Sequence, residues 1–159
     1  MPIGASGRVL NEMCSSKICV DEYKAGEFSG RIYNGNYSEP FIFCGVLGLL
    51  KRLEYMFDCF EYPQRTTMNR SFTKVKESET DSSFQEQCSI ANVKEFDERE
   101  YQTERGKLAT FYVKVMFRKN ATWQGTVLWS DKDEQLNFRS VLELLFLMDG
   151  ALEEIKTVQ

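Results

Sequence analysis

Alternating apolar and polar side chains predict two neighbouring strands in the second half of the chain. In the segment 111–117 every second residue is apolar: Phe111, Val113, Val115 and Phe117. This period of two is typical of a strand with one buried face. The segment 123–129 carries the two tryptophans of the sequence, Trp123 and Trp129, both at odd positions. They therefore point to the same face of the second predicted strand.

A three-residue turn at 120–122 is expected to join these strands and to keep the apolar odd positions on one side. The expected pairs are Lys119 with Trp123, Phe117 with Gly125, Val115 with Val127, and Val113 with Trp129. The first half of the chain has a similar pattern around a turn at Gly26. The pairs expected there are Ile18 with Ile32 and Val20 with Gly30.

The two hairpins belong to segments that repeat at an interval of 95 residues. Residues 28–57 align without a gap on residues 123–152, and six positions are identical. The identical residues are Gly30 and Gly125, Phe43 and Phe138, Val46 and Val141, Leu47 and Leu142, Leu49 and Leu144, and Leu50 and Leu145. Because these lie at core-type positions, we expect an internal duplication. Each copy is predicted as strand, turn, strand, polar loop and helix.

The predicted helices differ in character. The first, from Val46 to about Cys59, is amphipathic. The second begins with Ser140 and Glu143, which form a capping-box sequence before an apolar run at 144–148. A helix with so few polar positions is expected to be covered on more than one side, either at the pseudo-axis or in a homodimer contact.

Gly30 and Gly125 occupy the same position of the predicted strand in both copies. Glycine is unfavourable inside a strand and often marks a bulge or the close approach of other atoms. We expect a helix residue or an aromatic ring to pack onto each glycine. The alternative is a ligand that approaches there.

Two strand–strand–helix units, each too small to bury its own apolar face, are expected to share one sheet. The predicted fold class is α+β, with repeats at about 15–60 and 108–155 that share an antiparallel sheet, helices packed against it, and a pseudo-twofold arrangement. A polar insert at about 61–107 contains RSFTKV and CSIANVKEF, two candidates for short strands. All 159 residues are expected to form a single domain.

Composition narrows the classes of function. The net charge of −4 and the pI near 5.1 argue against nucleic acid as the main partner, because phosphate contacts need concentrated Lys and Arg. The sequence has no histidine, which excludes histidine-dependent nucleophile pairs and the commonest zinc ligand. A carboxylate, lysine or tyrosine enzyme stays open, but no motif indicates one. We therefore expect no catalytic residues, no metal and no cofactor.

Apolar windows and cysteines predict a cytoplasmic protein. The longest apolar window, 41–50, is too short to span a bilayer, so we expect no membrane contact. The N-terminus has no signal-peptide core. The five cysteines are an odd number without paired spacing, which favours reduced thiols over a disulfide or metal role.

Three residues are candidates for ligand binding: Trp123, Trp129 and Arg139. Two tryptophans on one face of a sheet can stack with a ring, but they can also close the ends of a core. Arg139 precedes the second helix, where backbone N–H groups attract anions, so it is a candidate for binding phosphate. The alternative is an ion pair with one of the carboxylates of Asp131, Asp133 and Glu134.

The string FRKNATWQGTVLW, followed by FRSVLELLFLMDGAL, resembles a group of uncharacterised small proteins from gut Firmicutes. Their pattern is N-A-[ST]-W-Q-G-[TS]-[VI]-x-W and then F-R-S-x-L-E-L. The similarity runs from Phe117 to Leu152 and implies a cytoplasmic bacterial protein, without a particular activity. The first copy has Cys44 and Gly45 where the second has Arg139 and Ser140.

These observations lead to one main hypothesis and one alternative. The main hypothesis is a non-catalytic binding or adaptor module that engages a protein partner through a sheet edge, a helix or the insert. The alternative is a sensor of a nucleotide-like or other anionic aromatic molecule, bound by Trp129, Arg139 and Trp123.

Overall fold

A computed structural model describes residues 15–35, 37, 39–68, 70–72 and 103–158. Within these ranges the chain forms six strands and two helices. In chain order they are β1 (Ser15–Lys24), β2 (Glu27–Asn34), β3 (Phe41–Phe43), α1 (Gly45–Phe60), β4 (Ala109–Phe117), β5 (Gln124–Trp129), β6 (Glu134–Phe138) and α2 (Val141–Val158).

All six strands form one antiparallel sheet in the order β3–β2–β1–β4–β5–β6. The expected α+β class, with an antiparallel sheet and helices, is confirmed. The polar loop expected before each helix is wrong, because it contains a third strand. These third strands, β3 and β6, are the two edges of the sheet. In β6 the residues from Glu134 to Asn137 are all exposed, so no buried alternation marks this strand in the sequence.

The core lies between one face of the sheet and the two helices. Alternate strand residues point into it, among them Ile18, Val20, Ile32, Phe111, Val113 and Val115, each at most 1% exposed. The helices contribute Leu49, Leu53, Met56, Phe57, Leu144, Met148 and Leu152. Helix α1 contacts β2 and β3, and α2 contacts β5 and β6, so each helix packs on the strands that precede it.

Strand pairing has the same register in the two halves of the sheet. The inner pairs are Val20–Gly30 and Val115–Gly125, and the edge pairs are Gly30–Phe43 and Gly125–Phe138. At the centre of the sheet β1 pairs with β4, and Lys17 lies opposite Tyr112. These two residues are 95 positions apart (112 less 17), which is the same interval that separates the aligned segments 28–57 and 123–152.

A bulge interrupts the pairing at equivalent positions of both halves. It lies between Val20 and Glu22 in β1, and between Val115 and Phe117 in β4. Beyond the second bulge the faces are exchanged, because Phe117 is 49% exposed whereas Arg118 is only 3% exposed. The expected burial of Phe117 beside Val115 is therefore wrong.

The hairpin registers test the expected turns. In the first half Ile18 pairs with Ile32 around a turn at Ala25 and Gly26, as expected. In the second half Val115 pairs with Gly125 rather than with Val127, so the expected register is wrong by two residues. The pairs found there include Val113–Val127 and Phe111–Trp129. The bulge and a tight turn, in which Asn120 and Ala121 both have positive φ, account for the shift. A shift of two keeps the faces unchanged.

A glycine lies beside the bulge in each half, and the reason is the close approach of the neighbouring backbone. A Cβ at Gly30 would overlap the carbonyl group of Cys19, and a Cβ at Gly125 would overlap that of Lys114. The expectation that a helix residue or an aromatic ring packs there is wrong, since the nearest atoms belong to the neighbouring strand. No ligand approach is needed to explain these glycines.

Side chains from the hairpins hold the start of each helix. The amide of Val46 donates to the carboxylate of Glu27 at 2.9 Å, and the amide of Val141 donates to the hydroxyl of Thr122 at 2.8 Å. Both donors and both acceptors are again related by the interval of the repeat. Each hydrogen bond satisfies a helix N–H group that has no partner within the helix.

The second helix has an exposed apolar stripe. The amide of Glu143 donates to Ser140 Oγ at 3.1 Å, so the expected cap is confirmed. Leu142 and Phe146 are 60% and 66% exposed. Within the described part of the chain these two side chains are not covered, and cover by a homodimer contact stays a prediction.

Most of the expected insert lies outside the described residues. This holds for the candidate strand CSIANVKEF and for the second half of RSFTKV. Residues 61–68 follow α1, and Arg65 forms an isolated bridge with Arg118. Neither helix in the described part of the chain is long and apolar enough to cross a membrane.

Candidate functional site

A cavity of about 140 Å³ lies beside β6, between the edge of the sheet and α2. Its apolar wall consists of Phe111, Val127, Trp129, Leu136, Leu147 and Ala151. Glu134 and Glu154 complete the lining with two carboxylates. The cavity therefore combines an apolar interior with acidic groups.

Strand pairing and helix spacing explain how this cavity forms. Val127 pairs with Leu136, which places both side chains on the helix-facing side of the sheet. On α2, Leu147, Ala151 and Glu154 follow one another at intervals of four and three residues, so they share one face. Because Ala151 has a small side chain, space remains between α2 and Leu136.

Trp129 forms one wall of this cavity. Its side chain is only 9% exposed, and its ring lies 6.4 Å from that of Phe111. The Lys132 ammonium lies 4.7 Å from the centroid of the Trp129 ring and forms an ion pair with Glu154. The Trp129 indole nitrogen is buried and has no hydrogen-bond partner among the described residues. An acceptor that reached this N–H group would remove the cost of an unmade hydrogen bond.

The charges near the opening favour a cation. Glu134 and Glu154 are carboxylates, and Lys132 supplies one ammonium, so one negative charge remains uncompensated. The Lys132 ammonium also shows a position that a cation can take, over the face of Trp129 and beside a carboxylate.

Trp123 is part of the core and not of the cavity lining. It is 2% exposed, and its ring packs edge-on against Phe57 of α1 with centroids 5.6 Å apart. Its indole N–H group donates to the Glu54 carboxylate. Trp123 therefore belongs to the core, which is one of the two roles expected for the tryptophan pair. Trp129 lies beside a cavity.

Arg139 lies at the surface before α2. Its side chain is 88% exposed, and it pairs with Glu143 at 3.0 Å, one helical turn away. The expected carboxylates of Asp131, Asp133 and Glu134 are not the partner found. The cavity lining thus contains Trp129 alone among the three candidate residues.

Arg118 connects the second hairpin to the helix of the first half. It donates to Asp58 at 2.8 Å, to Glu54 at 3.3 Å and to the Pro63 carbonyl at 2.6 Å. The equivalent residue in β1 is Tyr23, 95 positions earlier. Sequence reasoning missed this role of Arg118, because the preceding bulge cannot be seen in the alternation.

Tyr23 connects the first hairpin to the helix of the second half in the same way. Its hydroxyl donates to Asp149 at 2.7 Å and also approaches Glu153. Burial, together with the hydrogen bonds to these two carboxylates, raises the pKa of Tyr23 above its ordinary value. Asp149 and Glu153 are the equivalents of Glu54 and Asp58. The two connections therefore cross between the halves in both directions.

The opposite face of the sheet buries a lysine. Lys17 is 0% exposed, and its ammonium lies 5.8 Å and 5.9 Å from the ring centroids of Tyr33 and Tyr112. Burial lowers the pKa of Lys17 and raises the pKa of the neighbouring Cys19 thiol. The parity of the strand provides a signal for this placement, since Lys17 and Cys19 alternate with the core residue Ile18.

Arg31 organises the polar groups beside this lysine. It donates to Asp21 at 3.0 Å, to Glu104 at 2.9 Å and to the Arg105 carbonyl at 2.8 Å. The hydrogen bond to Asp21 is the largest cause of a raised pKa for Arg31. Because these protein groups engage the guanidinium on several sides, the cluster ties β1 and β2 to residues 104–105.

Comparison with family models, curated proteins and solved structures finds no match. In the described residues, no group of three or more histidine, cysteine, aspartate or glutamate side chains could hold a metal ion. The cavity beside β6 is therefore the site on which a function can be argued from this chain itself.

Proposed function

We propose that this protein is a non-catalytic binding module of the bacterial cytoplasm, which binds an extended segment of a protein partner along β6. The observation that carries this proposal is that β6 is an edge strand with every residue from Glu134 to Asn137 exposed. An edge strand has a row of backbone N–H and C=O groups with which a further strand can pair. Backbone hydrogen bonds would provide affinity, and the adjacent cavity would provide specificity.

The opposite edge is less suited to strand addition. Strand β3 has only three residues, Phe41–Phe43, and follows Pro40, whereas β6 has five residues and no proline. Short edge strands and proline are two means by which proteins prevent such pairing. The proposal therefore concerns β6 alone.

We include the internal duplication in this proposal. It is supported by equal registers, by bulges after Val20 and Val115, and by helix starts held by Glu27 and Thr122. Two copies of one unit give a sheet with two equivalent edges. A change in one copy can then open one edge for binding while the other stays closed.

A small-molecule sensor is the second candidate, because the cavity has Trp129 in its wall and a volume of about 140 Å³. A dry apolar cavity of roughly this size holds a molecule as large as benzene. The carboxylates of Glu134 and Glu154 favour a cationic ligand, which is the reverse of the charge that Arg139 predicts.

Two matched substitutions at opposite edges of the sheet test the main proposal. Asn137 in β6 and Ile42 in β3 are 95 positions apart, are both exposed and do not line the cavity, so lysine at either position should leave the fold and the cavity intact. Tagged wild-type protein and both variants are used to capture partners from bacterial lysate under reducing conditions. We expect Asn137→Lys to lose the partner and Ile42→Lys to retain it, because a lysine on β6 opposes strand addition.

Hydrogen exchange of the purified complex then locates the interface. Pairing of a new strand should slow the exchange of outward-facing amides in β6, while those in β3 keep their rate. Equal retention by both variants, without protection in β6, would overturn the proposal. A retained small molecule in native mass spectrometry, without a protein partner, would favour the sensor. The mass of the complex also shows whether the partner is a second copy of this chain.

A further inference from the structure

The segments before β3 and β6 share an equivalent backbone hydrogen bond, but the residues that donate it have different side chains. The amide of Tyr37 donates to the Asn34 carbonyl at 3.0 Å, and the amide of Lys132 donates to the Trp129 carbonyl at 3.3 Å. Both the donors and the acceptors are 95 positions apart. The backbone amides of Tyr37 and Lys132 therefore occupy equivalent positions before their edge strands.

In the first half the side chain of Tyr37 covers that edge. It is 8% exposed and packs against Phe41 and Phe60, with ring centroids 4.8 Å and 5.5 Å away. Phe41 of β3 is consequently only 2% exposed. An aromatic ring thus fills the space between the edge strand and the helix of this half.

In the second half the equivalent turn, residues 130–133, contains no aromatic residue. The residue equivalent to Phe41 is Leu136, which is 54% exposed and lines the cavity. The residue equivalent to Tyr37 is Lys132, whose side chain extends over Trp129 to Glu154 and leaves the cavity beside β6 open. The cavity therefore lies where the other half of the molecule holds a tyrosine.

We infer that this cavity is the anchor pocket for a tyrosine or phenylalanine of the partner strand, with a lysine or arginine of that strand near Glu134 and Glu154. This inference rests on the proposed strand addition. Alternate side chains of a strand added to β6 face the same side as Leu136, which is the side of the cavity. An aromatic anchor in a desolvated pocket is typical of a residue that dominates binding energy.

Charge complementarity selects the neighbours of the anchor. A basic side chain two residues from the aromatic one faces the same side of the sheet and gains the attraction of the two carboxylates at the cavity. An acidic neighbour is repelled by them. The recognised segment is thus an extended, aromatic and basic peptide.

Titration with synthetic peptides tests the anchor. The probe is a short peptide of alternating valine and threonine with a central tyrosine and a lysine two residues away on each side, so that all three side chains face the cavity. The controls replace the tyrosine by alanine or both lysines by glutamate. The two indole N–H resonances of the protein report binding, and Trp123→Phe assigns them. We expect the Trp129 resonance to shift, the Trp123 resonance to stay, and each control peptide to bind at least tenfold more weakly.

Lys132→Tyr provides the matching change in the protein. It places the tyrosine of the first half at the equivalent position of the second, so the cavity should be filled and the peptide should bind at least tenfold more weakly. Lys119→Tyr, in the exposed turn before β5, is the control and should bind like the wild type. If Lys132→Tyr does not fold, Ala151→Leu fills the same cavity from the helix.

The outcomes separate the anchor from the strand addition. Equal binding of the tyrosine and alanine peptides, with slowed exchange in β6, would overturn the anchor pocket and leave the strand addition intact. Absence of binding by every peptide would overturn both. A shift of Trp129 with p-cresol alone, without peptide binding, would overturn the peptide occupant and identify a small-molecule pocket.

Discussion

Gly30 and Gly125 are the residues whose identity the backbone dictates most directly. At either position a Cβ atom would overlap a carbonyl group of the neighbouring strand, at the bulge that both halves share. We expect Gly125→Ala to lower the free energy of unfolding by more than about 2 kcal/mol, above the roughly 1 kcal/mol of an average substitution, because the strand pair must separate. Urea denaturation measures this change.

Gly150→Ala is the matched control for that substitution. Gly150 lies within α2, and no atom lies within 4 Å of an added Cβ there. Alanine is the better helix former, so this variant should be more stable by about 0.5–1 kcal/mol. If Gly125→Ala were as well tolerated as Gly150→Ala, the close approach at the bulge would be refuted.

The candidate site residues show which features of single residues could be predicted from the sequence and which could not. The shared face of Trp123 and Trp129 was predictable, because side chains alternate along a strand. Their different surroundings were not, because these depend on which helix residue lies above each ring. Phe57 covers Trp123, whereas the small Ala151 leaves room beside Trp129. The pairing of Arg139 with a residue four positions later was within reach of helix periodicity.

At the scale of elements, Tyr23 links β1 to α2 and makes the free energy of unfolding depend on pH in the alkaline range. Its pKa is raised in the folded protein by burial and by hydrogen bonds to Asp149 and Glu153. A raised folded pKa contributes stability below the unfolded value of about 10, and this contribution is lost as the pH rises further. We expect the free energy of unfolding to fall above about pH 10, and to fall less steeply in Tyr23→Phe.

Urea denaturation between pH 8 and pH 11 checks this expectation. Tyr55→Phe is a suitable control, because it removes the hydroxyl of a half-buried tyrosine that lies on α1 rather than on β1. The same dependence on pH in Tyr23→Phe and in the wild type would contradict the role of Tyr23. Two other tyrosines with raised pKa values, Tyr33 and Tyr112, should contribute to the slope that remains.

Elements with one buried face were predictable, and elements without one were not. Alternation located β4 and β5, and the capping box located the start of α2. The bulge after Val115 was not predictable, because the apolar alternation continues through it to Phe117. Strand β6 was not predictable either, since an exposed polar edge strand has the composition of a loop. The bulge positions Arg118, and β6 forms one side of the cavity. The candidate site therefore depends on two features that the alternation of apolar residues does not reveal.

On the scale of the whole molecule, contacts cross between the halves in a reciprocal way. Arg118 of the second half reaches Glu54 and Asp58 on α1. Tyr23 of the first half reaches the two equivalent carboxylates on α2. Such an exchange is the arrangement found in an isologous dimer, in which each subunit gives the other what it receives. A chain built by fusion of two subunits would retain it.

This reciprocity leads to a test with the separated halves. In a homodimer of residues 103–158, two β4 strands pair at Tyr112, and Arg118 of each copy meets Asp149 and Glu153 of the other. In a homodimer of residues 15–72, two Lys17 side chains lie directly opposite each other, and like charges at paired positions are destabilising. We expect the fragment 103–158 to dimerise and the fragment 15–72 not to dimerise, because only the junction at Tyr112 is free of like charges.

Analytical ultracentrifugation of each fragment, and of their mixture, measures the outcome. The mixture should form a one-to-one complex, since it restores Lys17 opposite Tyr112 and Arg118 beside α1. Arg118→Glu in the fragment 103–158 should abolish its homodimer, because the glutamate then faces two carboxylates. Lys17→Met in the fragment 15–72 should permit a homodimer, because it removes the two like charges at the central pair. If Lys17→Met has no effect while the fragment remains folded, charge at the central pair is not what decides how the halves associate.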